Sequence, residues 1–162
     1  MGIGAVHAQV PPGLDLAEVL DGLSDDNVWA PEADVGALRE IVAEAADSGI
    51  DLKIVAVPYH PVYGSGLRDL ANDIGAADSG TVLALSPFAV GTYSDDVDRF
   101  TLEGAQHDVV PGDPVVASST FVDGVTEQGF PWTAVTLVAL ASLVIAVVAL
   151  RLWTRRGYFA QQ

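Results

Sequence analysis

Asp95, Asp96 and Asp98 form the tightest group of side chains able to do chemistry, three carboxylates placed just after an apolar run. Carboxylates this close together in a loop can hold Ca²⁺ through oxygen ligands, and a metal so held polarises phosphoryl oxygens. The regular ligand offsets, central glycine and distal glutamate of an EF-type loop are missing from this segment. A second use fits the same residues. Ser94, Asp95 and Asp96 can cap and charge the first turn of a helix carrying Val97 and Phe100, with Arg99 pairing with the acids. His7, His60 and His107 lie far apart, with no His-x-x-x-His or His-Glu pairing, so their spacing predicts neither a zinc site nor a general base. Ser65, Ser118 and Ser119 lack a nucleophile elbow, and Gly64-Ser65-Gly66 reads as the start of a helix. No glycine-rich phosphate loop of Walker or dinucleotide type occurs. The absence of cysteine removes thiolate chemistry and disulfides. The expectation is a non-enzymatic protein with no cofactor, Ca²⁺ at Asp95, Asp96 and Asp98 being the alternative.

A better candidate for contact is Tyr59-His60-Pro61-Val62-Tyr63. Two tyrosines beside prolines, at the C-terminal end of a strand, make a rigid amphipathic patch of the kind enriched at binding hot spots. The plainer reading is that one ring lids the core. Pro87 and Phe88 would extend the same surface if the fold brings them near.

The elements that position these residues follow from periodicity. Asp15 and Glu18 resemble a capping box ahead of Leu16, Val19, Leu20 and Leu23, predicting a short helix ending by Ser24. After the turn Asp25-Asp26-Asn27, Pro31 takes a first helical position, and Val35, Leu38, Ile41, Val42 and Ala45 recur at helical spacing, with Gly49 as the left-handed cap. Leu52 to Val57 reads as a buried strand stopped by Pro58. A helix from Ser65 or Gly66 to Gly75 carries Leu67, Leu70, Ala71 and Ile74. Thr81 to Leu85 is a second buried strand, and Phe88 to Tyr93 its antiparallel partner. Ser94 to Leu102 continues as a turn or short helix, and Asp113-Pro114 starts a last helix with Val115, Ser118, Phe121, Val122 and Val125. This order predicts an α/β fold, a small mixed sheet flanked by helices.

From Phe130 to Leu150 no side chain is charged, and RLWTRR closes the stretch. About 20 such residues, rising roughly 1.5 Å each, match a hydrocarbon core about 30 Å thick, so a C-terminal transmembrane helix is expected over 130–151. Trp132 and Trp153 sit at headgroup level, and Arg151, Arg155 and Arg156 complete the anchor. All 22 acidic residues lie at or before Glu127. Only Arg39, Lys53, Arg68 and Arg99 oppose them there, a net of −18. Positive-inside reasoning leaves the tail in the cytoplasm and the domain outside. The N-terminus has neither a basic region nor a long apolar stretch, so no cleavable secretory signal is expected; the competing topology is a tail anchor with the domain inside. The predicted organisation is a loose extension over 1–13, an α/β domain over 14–128, the span over 130–151 and a basic tail over 152–162. Ala139, Ser142, Ala146 and Ala149 give the span one face of small residues. The acidic charge argues against nucleic acid and favours a basic partner or simple solubility.

The stretch GIDLKIVAVPYHPVYGSGLRDLANDIGAADSGTVLALSPFAVGTYSDDVDR, with the later GDPVVASSTFVDGV, resembles the TPM domain of thylakoid and bacterial membrane-associated proteins. Joined to the C-terminal apolar stretch with its GFPWT start, it is similar to a single-span membrane protein family of mycobacteria and corynebacteria. That resemblance implies a membrane protein that controls an NlpC-type peptidoglycan hydrolase, a cell-wall enzyme, during cell separation. Some TPM proteins resemble metal-dependent phosphatases, which is the alternative activity it implies.

Overall fold

The computed structural model describes residues 13–59, 66–127 and 140–142. The chain divides into two compact units, Met1–Gln128 and Gly129–Gln162. In the first, nine elements follow one another: α1 (Leu16–Asp26), β1 (Val28–Trp29), α2 (Val35–Asp47), β2 (Leu52–Ala56), α3 (Gly66–Ala77), β3 (Thr81–Ser86), β4 (Ala89–Ser94), α4 (Arg99–Asp108) and α5 (Pro114–Glu127). The sheet runs in the order β1-β2-β3-β4. β1, β2 and β3 are parallel and β4 returns antiparallel, with Ile54 opposite Leu83 and Leu83 opposite Thr92.

Every residue of β2 and β3 is buried, as a strand covered on both faces requires. Leu52, Ile54, Ala56, Leu83 and Leu85 point to a core shared with α2, α4 and α5, where Phe121 is wholly buried. Val55, Val57, Val82 and Ala84 point the other way, to α1 and α3. The expected mixed sheet with helices on both faces is therefore present. The steps from β1 to β2 and from β2 to β3 move the same way across the sheet, yet their connecting helices α2 and α3 lie on opposite faces. The two crossovers consequently have opposite hands, and one departs from the right-handed rule for parallel connections.

Local chemistry explains where the elements begin and end. Asp15 accepts from the Ala17 amide at 2.9 Å and caps α1, which continues past Ser24 to Asp26, ending on Asn27 in the left-handed region. α2 starts later than Pro31 because Asp34 accepts from the Ala37 amide at 3.1 Å, a capping bond that Ala30, the residue before Pro31, has no side chain to make. Its C-terminus is a Schellman motif: the amides of Gly49 and Ile50 donate to the carbonyls of Ala46 and Ala45, both at 2.9 Å, and Gly49 has φ +83. β1 escapes sequence reading because two residues carry no period. Asp113 accepts from the Val115 and Val116 amides at 2.8 and 3.2 Å, so α5 starts at Pro114 as expected.

The predicted C-terminal transmembrane helix is corrected. Among the described residues no helix is long and apolar enough to cross a membrane. The longest, α5, has 14 residues, a rise of about 21 Å against roughly 30 Å of hydrocarbon, and Asp123 and Glu127 charge it. Of the stretch 130–151 only 140–142 is described, as helix; the rest, the 1–12 extension and the basic tail lie outside the described residues.

Candidate functional site

β4 is an edge strand, and a groove of about 790 Å³ opens beside it between α3 and α4. Two glycines set its first wall. A Cβ on Gly91 would come within 2.4 to 2.6 Å of the Leu67 and Arg68 backbone, so only glycine lets the first turn of α3 rest on β4. A Cβ on Gly75 would run into the Tyr93 ring, so glycine is needed there for packing, and α3 runs through Gly75 to Ala77 instead of ending at it. These close approaches put Arg68, Asn72 and Tyr93 along the groove, with Arg68 and Asn72 one helical turn apart.

The opposite wall is α4. Asp98 caps it, accepting from the amides of Phe100 and Thr101 at 3.0 and 3.1 Å and from Thr101 Oγ1 at 2.7 Å. The Thr101 hydroxyl bond, then its amide, holds the Asp98 carboxyl below the ordinary aspartate range. Arg99 Nε donates to Glu103 at 2.7 Å. Thr92 Oγ1 donates to Gln106 Oε1 at 2.5 Å, and Gln106 Nε2 reaches the Val90 carbonyl at 3.5 Å, tying α4 to the edge strand. Val90, Val97, Leu102 and Val109 supply apolar lining, and Phe88, 73 % exposed, stands at the hairpin tip.

Charge is distributed unevenly. Arg39 pairs with Asp26, Lys53 with Asp51 and Asp78, and Arg99 with Glu103. Among the described residues Arg68 is the one arginine or lysine without such a partner. The groove thus gathers Arg68, Arg99 and His107 against the single carboxylate of Glu103, in a chain of net charge −15.

Two of the three aspartates expected to hold Ca²⁺, Asp95 and Asp98, have other tasks. Asp95 accepts from the Gly80 amide at 2.8 Å, pinning the turn before β3. Ser94 Oγ accepts from the Asp96 and Val97 amides at 3.1 and 2.8 Å. The helix cap falls to Asp98, two to four residues later than the Ser94–Asp96 reading placed it, because Asp98 alone reaches the first amides of α4. Among the described residues no group of three or more His, Cys, Asp or Glu side chains could hold a metal ion.

Tyr59 is half-buried against the core shared by α1 and α3; its hydroxyl has no hydrogen-bond partner among the described residues, and burial pushes the phenol pKa up. It does not line the groove that Phe88 lines. Pro58 and Pro87 share a separate cleft of about 180 Å³ at the C-terminal ends of β2 and β3, with Pro114. His60 and Tyr63 lie outside the described residues, as do Trp132, Arg151, Trp153, Arg155 and Arg156. Sequence reading missed Arg68, Asn72, Tyr93, Gln106 and His107; the available signal was Arg68 and Asn72 at i and i+4 on a helix in a chain poor in cations.

The Rv1476 membrane protein family matches residues 9–162. The chain belongs to that family. It is 40% identical over 149 residues to membrane protein Rv1476 of Mycobacterium tuberculosis strain H37Rv, covering 91% of this chain and 80% of the relative. No solved structure matches it.

Proposed function

We propose that this membrane protein is a binding domain that controls an NlpC-type peptidoglycan hydrolase during cell separation, acting by contact and without chemistry of its own. The carrying observation is the groove beside β4, about 790 Å³, which offers a protein partner apolar lining, aromatic rings at Phe88 and Tyr93, and hydrogen-bond donors from two helices. Family membership supports placement at a membrane. The order strand, helix, hairpin, late helix supports a TPM-like reading of the domain. The hydrolase as partner rests on the resemblance to the mycobacterial and corynebacterial family.

Sidedness is part of the proposal. The acidic domain faces the wall, supported by the segregation of all 22 acids from Arg151, Arg155 and Arg156. Holding the domain at the membrane surface raises the local concentration of a partner there. The test is binding of the purified hydrolase to the full chain in detergent, with Phe88→Ala as comparison. Saturable binding weakened about tenfold by Phe88→Ala, the loss of one aromatic contact of about 1.4 kcal/mol, is expected. No binding by the unaltered chain, or binding indifferent to the groove, overturns the reading.

A further inference from the structure

We infer that the groove beside β4 receives an acidic segment of a protein partner and that the Arg68 guanidinium is its carboxylate receptor. This rests on the groove being the docking site proposed above.

In a domain with 22 carboxylates, three of the four cations before residue 130 are met by one or more of them. Arg68 is not, although it is exposed and stands on the first turn of α3 at the wall of the groove beside β4. A guanidinium is a planar fork of donors that fits a carboxylate through two parallel hydrogen bonds. Asn72, one turn along the same helix, and Tyr93 line the groove with it, while Glu103, the lining's one carboxylate, is engaged by Arg99. Arginines therefore outnumber carboxylates where the backbone also brings Val90, Val97, Leu102 and Val109 to the lining. A peptide presenting one carboxylate among apolar side chains complements both features. A phosphate-rich bilayer does not, because the domain's −18 charge repels a large anionic surface within a Debye length of roughly 8 Å, whereas a short segment presents its single charge to Arg68 at contact.

The geometry makes Arg68 depend on Gly91, whose missing side chain lets the Leu67–Arg68 backbone lie against β4. The receptor is thus built into the packing of α3 on the edge strand.

The test pans a random-peptide display library on the full chain in detergent. Selected sequences enriched in Asp or Glu, each losing about 10- to 100-fold affinity on Arg68→Gln and less on Arg68→Lys, are expected for a charge-assisted bidentate contact. Selection without acid enrichment, selection unaffected by Arg68→Gln, or no enrichment at all overturns the inference. Displacement of a selected acidic peptide by phosphatidylglycerol vesicles assigns the site to lipid and also overturns it. The two proposals separate on the hydrolase: if Phe88→Ala weakens its binding and Arg68→Gln does not, docking at the groove stands and the acidic-segment inference falls; if neither does, both fall.

Discussion

Asp98 and Lys53 show how single polar side chains in this domain are committed to holding its turns. The three donors that converge on Asp98 hold its carboxyl below the ordinary aspartate range. Its carboxyl is depressed in the folded state, so its contribution is complete above the ordinary aspartate range and is lost as pH falls through the depressed value. The protection factors of the Phe100 and Thr101 amides, taken relative to their intrinsic exchange rates, should fall on acidification in that window, and Asp98→Asn, which can still cap but does not titrate there, should remove that fall. Lys53 is 2 % exposed within β2, its ammonium held by Asp51 at 3.0 Å, by Asp78 at 3.5 Å and by the Ser79 carbonyl. Both aspartates remain more than half exposed. Removing the acids together strands a buried charge, while removing the lysine leaves carboxylates that water can solvate. Asp51→Ala with Asp78→Ala should therefore cost about 3 kcal/mol in denaturant unfolding and Lys53→Met distinctly less; equal costs would show that the ammonium is not held by those acids. The three aspartates read from the sequence as a metal loop are legible as polar and clustered, but which donors reach them depends on the Gly80 turn and the start of α4, which are set by tertiary packing.

At the scale of elements, α3 against β4 forms the groove wall, and two glycines make that packing. Gly91→Ala places a methyl group against backbone atoms that have no rotamer to give way, so overpacking should cost about 1 to 3 kcal/mol and shift Arg68 outward. Gly75→Ala meets a tyrosine ring that can turn, and should cost less stability while moving Tyr93 in the groove. Thermal unfolding with Tyr93 side-chain NMR shifts checks both. The apolar patterns of α2, α3 and α5 and the two buried strands are plain in the sequence because they repeat at 3.6 residues or run unbroken. Glycine's role at residue 75 is not plain, since a helix-ending glycine and a glycine crowded by a ring look alike until the partner strand is placed. The two-residue β1 has no periodicity to find, and Asp34, not Pro31, starts α2 because a cap is a hydrogen bond and not a propensity.

For the whole molecule, the net −18 carried before residue 130 and the cationic lining of one groove act at different ranges. The summed field reaches outward, attracts basic surfaces and falls with salt; Arg68 acts only at contact. Binding of the hydrolase should weaken as salt rises from about 50 to 500 mM, more through the association rate than through dissociation, if the acidic surface steers the encounter. A salt-independent association rate would remove steering from the account. The acidic excess and its separation from the C-terminal arginines are legible directly in the sequence, whereas the groove is not, because its lining comes from α3, β4, α4 and the loop after it.

The docking claim is tested most directly by photo-crosslinking in intact cells, with a photoreactive residue placed at Phe88 on the groove or at Glu40 on the exposed side of α2. Crosslinks to a peptidoglycan hydrolase from position 88 and none from position 40 are the predicted result. Crosslinks from position 40 alone, or from neither position, contradict it.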